Sequence, residues 1–164
     1  GNEAKDEHPR VLIEDFTLYE YKNHQATETL QGKLAKFVDP GVLEIYGDVR
    51  GSRLISEKKE FFSAEKMKIL FASKGLTELA KDNRITSTEL ENQVRFGYDD
   101  ITLYTDYAKY LHAQGKLLSD RPVRIQAPQA DLRGSKGFEY ESKSHNLKVF
   151  GPLEGTLIDK RENP

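Results

Sequence analysis

Cysteine and tryptophan are absent from the 164 residues, and methionine occurs once. Without thiols the chain has no disulfide framework and no thiolate metal site, and its redox compartment stays open. No apolar run approaches the roughly 20 residues that a membrane-spanning helix needs. Charge of one sign is missing too: 25 Lys and Arg against 27 Asp and Glu leave a net charge of -2. That balance gives no broad attraction to nucleic acid or to an anionic membrane surface.

The usual signatures of catalysis are equally sparse. His8, His24, His112 and His145 stand far apart, outside any metal-ligand spacing. Ser56 with Lys59 and Ser63 with Lys66 repeat the S-x-x-K spacing without the elements that give it chemistry, and read as solvated charge. "RGSKG", Arg133 to Gly137, lacks phosphate-loop spacing and a following helix, and reads as a hairpin turn. "GYDD" reads as turn chemistry around Asp99 and Asp100. Neither a cofactor nor a metal is implied, and no enzyme is expected. A hydrolase using strand-borne acids such as Asp99 or Asp106 is the minor alternative.

What the chain does have is alternation. "RVLIEDFTLYEY" sets Val11 and Ile13 on one parity and Phe16 and Leu18 on the other, so a bulge is expected at Glu14–Asp15. Leu30, Gly32 and Leu34 read as one face of the next strand, and Pro40–Gly41 as a turn. Leu43, Ile45 and Val49 then alternate against Glu44, Tyr46 and Asp48, and Leu90, Val94 and Phe96 against Glu89, Glu91, Gln93 and Arg95. Residues 57–82 contain good helix formers between strand patterns, and Met67–Phe71 is read as strand. After residue 103, "TDYAKYLHAQGKLLSDRPVRIQAP" folds about Gly115, and two turn clusters, Gly134–Gly137 and Ser142–Asn146, separate three short strands.

These patterns predict an all-β fold, a twisted open β-jellyroll of stacked antiparallel strands. One domain over residues 10–159 is expected, after a disordered segment at 1–9 and before a flexible tail at 160–164. Hydrophobic residues make up 37% and charged residues 32%, which suits a thin roll with an incompletely filled interior. Period-2 alternation points Val123 and Ile125 inwards and Arg124 and Gln126 outwards. The same pattern makes Leu43, Ile45, Val94, Phe96, Tyr110, Leu132, Phe138 and Leu147 candidates for the lining, with ordinary core packing as the alternative for most. Tyr104, Tyr107 and Tyr140 join Tyr110 as rings suited to a groove rim. Lys116, Arg121 and Arg133 lie at or near turns, where cations can meet lipid phosphates or simply face solvent.

Residues 103–157 resemble the lipopolysaccharide export protein LptC family, of the LptA/OstA-like β-jellyroll type. The likeness rests on Thr105–Asp106, Ala108 and Tyr110, Ser119–Asp120, Pro122–Val123, Gly134 to Gly137, Tyr140–Glu141 and Leu147 to Gly151. "LIEDFTLYEY" and "LEIYGDVRG" look like the family's opening strands. The resemblance implies a periplasmic protein of Gram-negative outer-membrane biogenesis, anchored to the inner membrane by an N-terminal helix that these residues do not include. It implies lipopolysaccharide as ligand, an inner-membrane ABC transporter as donor and a periplasmic bridge protein as acceptor, with no nucleic acid. It further implies docking through the terminal strands, with Val11, Ile13, Phe16 and Leu18 towards the transporter and Val149, Leu153 and Leu157 towards the bridge. Pro152 marks that tail as a rim strand. A soluble bridge-type protein of the same pathway and a ligand-free β-scaffold are the competing readings.

Overall fold

A computed structural model of the protein describes residues 12–73, 78, 82 and 84–158. Val11, the 1–9 segment and the 160–164 tail lie outside the described residues. The described chain is a single antiparallel sheet of twelve strands. Six long strands come first: β1 (Leu12–Lys22), β2 (Gln25–Asp39), β3 (Val42–Ile55), β4 (Lys58–Phe71), β5 (Ile85–Tyr98) and β6 (Ile101–Leu111). Six short ones follow: β7 (Lys116–Ser119), β8 (Val123–Ala127), β9 (Ala130–Gly134), β10 (Phe138–Glu141), β11 (Leu147–Val149) and β12 (Leu153–Leu157).

The long strands meander through tight turns. Asn23–His24 and Ser56–Glu57 take positive φ at both turn residues, the geometry whose twist matches flanking strands. Gly41, after Pro40, sits at φ 80°, and Asp99 at φ 57°, so both expected turns are present. The helix-forming composition before Met67 is overridden, because β4 is paired along both sides, to β3 and β5.

A line of irregularities crosses all six long strands and sets the architecture. Residues directly opposite in register share a face, so the inner face can be followed strand by strand. On β1 it passes from Ile13 to Phe16, on β2 from Gly32 to Ala35, on β4 from Ala64 to Met67 and on β6 from Thr105 to Ala108. On β3 and β5 it skips two residues, Gly47–Asp48 and Asn92–Gln93, all four with positive φ. Asp15, at φ 44°, is the β1 member of the line, where the sequence pattern placed a bulge. The same shift corrects one expectation: Leu34 does not share a face with Leu30 and Gly32. It pairs with Tyr46 on the outside, and Ala35, opposite Ile45, turns inwards.

Bulges bend a strand and sharpen its twist, and those on β3 and β5, aligned with the change of face on the other four strands, fold the sheet on itself. Beyond β6 the sheet divides. The first half of β6 continues through β8 to β9 and β12, forming layer A with the halves of β1–β5 on that side of the line. The second half of β6 continues through β7 to β10 and β11, forming layer B with the remaining halves. "RGSKG" is therefore not a hairpin turn, since β9 and β10 do not pair; it carries the chain from layer A to layer B. Gly134 allows the crossing, because a Cβ there would stand 2.3 Å from Val149 Cγ1. Likewise Leu147 to Leu157 is not one interrupted strand. Pro152 separates β11 in layer B from β12 in layer A.

The core sits between the layers from β3 to β10, where Val49, Val94, Leu103, Ala108, Val123 and Phe138 are nearly inaccessible. Ser135 and Lys136 amides donate to the Pro152 and Phe150 carbonyls and close that side. The β1 side is open: Ile13 and Leu18 face inwards yet stay 41% and 54% exposed.

Candidate functional site: an apolar cleft with a polar end

Three inner-face rows build the site. In layer A, Leu18, Leu30, Gly51, Phe62, Phe96, Leu103 and Ile125 stand opposite one another in successive strands. In layer B, one row runs Ile13, Ala35, Ile45, Met67, Leu90, Ala108, and the next runs Phe37, Leu43, Ile69, Thr88, Tyr110, Leu117, Tyr140, Leu147. Between these rows lies a cleft of about 570 Å³, with Leu30, Phe62, Met67, Ile69, Leu90 and Phe96 among its walls. Its size falls within the ~300–1,000 Å³ of ordinary ligand sites, and its walls are mostly apolar. Gly51 leaves room for the Phe62 ring, which packs over the glycine from the neighbouring strand.

One end of the cleft is polar. Arg53 Nε donates to Glu60 Oε1 at 2.8 Å from the adjacent strand of layer A. Arg53 Nη2 reaches across to Ser142 Oγ of layer B at 3.3 Å, and Ser142 Oγ lies 3.2 Å from the Tyr110 hydroxyl. Thr88 Oγ1 and His112 Nε2 are 2.9 Å apart, with the His112 ring edge-on to Tyr110. Burial opposes the charge on Arg53, but Glu60 and Tyr110 outweigh it and raise its pKa. Burial, then the nearby Arg53 charge, lowers that of His112. The Tyr140 hydroxyl, 2.7 Å from His145 Nδ1, is pushed upward by burial and by the Glu60 carboxylate. Among these hydrogen bonds, Arg53 to Ser142 is the one that joins the two layers on this side.

Of the residues read from sequence as lining, Phe96 and Tyr110 bound the cleft. Ile45, Val94, Val123, Ile125 and Phe138 are buried in the core, and Leu43, Leu132 and Leu147 pack against it. Val123 and Ile125 do point inwards, at 3% and 6% exposed, while Arg124 pairs with Asp131 on the outside. The walls that sequence reasoning missed are Leu30, Phe62, Met67, Ile69, Ile85, Leu90 and Leu117. Tyr104 and Tyr107 belong to the outer face, beside Arg95 and Arg121. Lys116 pairs with Glu139 and Arg121 with Asp106 and Asp120, while Arg133 is exposed on β9; none of the three lines the cleft.

Ile13, Phe16 and Leu18 lie on β1, which among the described residues pairs with β2 alone; Val149 lies on β11 and Leu153 and Leu157 on β12, each at an edge of the described sheet. Leu153 is 54% and Leu157 76% exposed. Asp99 is paired with Lys58 in its turn, away from the cleft. Lys66 is engaged by Glu44 and Glu91 on the outer face, which disposes of the second Ser–Lys spacing. Among the described residues no three His, Asp or Glu side chains gather as a metal site, and no helix is long and apolar enough to cross a membrane.

No protein-family profile matches the chain, and no curated protein sequence matches it. Solved structures do. One is the crystal structure of LptH, described as the LptA homologous periplasmic component of the conserved lipopolysaccharide transport device from Pseudomonas aeruginosa. It superposes with a TM-score of 0.55 over 93% of this chain and 97% of that one, at 9% sequence identity. At that identity the likeness establishes the fold: an all-β, open antiparallel β-jellyroll.

Proposed function

We propose that the protein is a periplasmic carrier that shelters the acyl chains of lipopolysaccharide between its layers and hands them on without chemistry. The observation that carries this reading is the open side of the roll, where apolar inner-face residues run unbroken from exposed Leu18 through Leu30 to the Phe62 and Phe96 walls. Acyl burial in such a slot contributes about 0.8 kcal/mol per methylene. The likeness to LptH, a lipopolysaccharide transport component, supports the ligand class.

In this reading an inner-membrane ABC transporter supplies the lipid, a periplasmic bridge protein receives it, and an N-terminal helix anchors the carrier to the inner membrane. Unpaired edges at β1 and at β11 and β12 suit strand addition from such partners. A bridge-type role is the second reading, favoured by the near-complete overlap with LptH. The test is uptake of a naphthylamine dye that fluoresces on burial, followed by its displacement with lipopolysaccharide. Saturable uptake by the folded protein and full displacement are expected. A protein that takes up no dye would be a ligand-free scaffold.

A further inference from the structure

A second inner-face row in layer A lies beside the apolar one. Glu20, Glu28, Arg53, Glu60 and Tyr98 stand opposite one another in successive strands, and Glu28, Arg53 and Glu60 of this row line the end of the cleft. Arg53 is already committed to Glu60 Oε1. Glu60 itself is only 7% exposed, and its Oε2 is buried without a hydrogen-bond partner among the described residues. A buried carboxylate oxygen with no donor is a costly arrangement unless a donor completes it. Of the neighbouring hydroxyls, Tyr110 meets Ser142, and Tyr140, beside the Glu60 carboxylate, meets His145 Nδ1. The longest contact covering this corner is Arg53 Nη2 to Ser142 Oγ at 3.3 Å, the one that gives most easily when the layers part.

An anionic head at this end would be set against the buried Glu60 carboxylate, whose guanidinium partner is already engaged. An ammonium or a hydroxyl would supply the donor that Oε2 lacks. We propose that Glu60 is the recognition point for the polar head of the bound amphiphile, selecting a hydrogen-bond-donating head, ammonium or sugar hydroxyl, over an anionic one. The inference rests on the acyl-binding reading of the cleft. Within that reading it places sugar hydroxyls or amide N–H groups, rather than phosphates, against Glu60.

The experiment compares dodecylammonium, dodecyl glucoside and dodecyl phosphate, each below its micellar concentration, displacing the naphthylamine dye from the full chain. The chains are identical, so the order of affinities reads the head alone. The ammonium or the glucoside, whichever source of donor applies, should bind about tenfold tighter than the phosphate. Glu60→Gln, shown folded by circular dichroism, should shrink that gap to about twofold by releasing Arg53 to an anion. Equal affinities, or a phosphate that binds tightest, overturn the head site while leaving the acyl cleft standing. Failure of all three to displace the dye overturns the acyl reading and this inference with it. If Glu60→Gln does not fold, the order of affinities on the unaltered protein decides alone.

Discussion

Phe96 of layer A and Tyr140 of layer B meet ring to ring, centroids 4.9 Å apart with planes inclined by 57°. They come from strands that never pair, so this contact joins the layers where the cleft meets the core. Removing the ring by Phe96→Ala should cost about 3–5 kcal/mol in urea unfolding, the usual penalty for an emptied aromatic site. Tyr140→Phe keeps the ring and loses the hydroxyl that meets His145 and lies beside the Glu60 carboxylate, so it should cost about 1 kcal/mol. Similar losses from both changes would mean that the ring contact is not what dominates this junction.

Gly51 gives a way to fill the cleft from behind. A Cβ at this position would stand 2.2 Å from Phe62 Cε1, so the ring has to move into the space it borders. Gly51→Ala is expected to destabilise by about 1–3 kcal/mol through overpacking. Dye uptake should weaken by about tenfold in protein that remains folded. Unchanged uptake would show that Phe62 does not wall the binding space.

His112 makes stability depend on pH. Its folded pKa is lowered from 6.5 by burial and then by the Arg53 charge. A depressed folded value means the unfolded chain takes up the proton first, so stability rises with pH across this window. The His112 contribution is complete above the unfolded value and is lost as pH falls through the folded one. Urea midpoints taken downward from neutral pH should therefore fall, and His112→Gln should flatten that part of the profile. A profile of the same slope in the variant would assign the loss to other groups.

The long strands and the turns at Pro40–Gly41 and Asp99 were legible because alternation and turn residues are local signals. The division of the short C-terminal strands between the layers was not. At β1 the change of inner face could be read, since Ile13 and Phe16 bracket Asp15 with a visible change of parity. It comes without the extra residue of a bulge, because the register with β2 runs on unbroken there. The cleft walls were not legible, because they depend on which halves of different strands face each other. Met67 and Phe62 lie on opposite parities of β4, and only the kink at Glu65 puts both inside. Ile125 and Val94 alternate as well as any wall residue, yet β8 and the β5–β6 pairing bury them in the core. The polar end was hidden for the same reason: Arg53 and Ser142 are 89 residues apart.

The most direct measurement is photo-crosslinking to lipopolysaccharide from single positions on the two faces of layer A. Leu30 and Phe62 line the cleft, whereas Arg95, opposite Tyr104, projects from the outer face. Placed at Leu30 or Phe62, the photoreactive side chain should capture the lipid; placed at Arg95 it should not. Ile125, buried in the core at 6% exposed, should capture little. Equal capture at Phe62 and Arg95 would contradict binding between the layers.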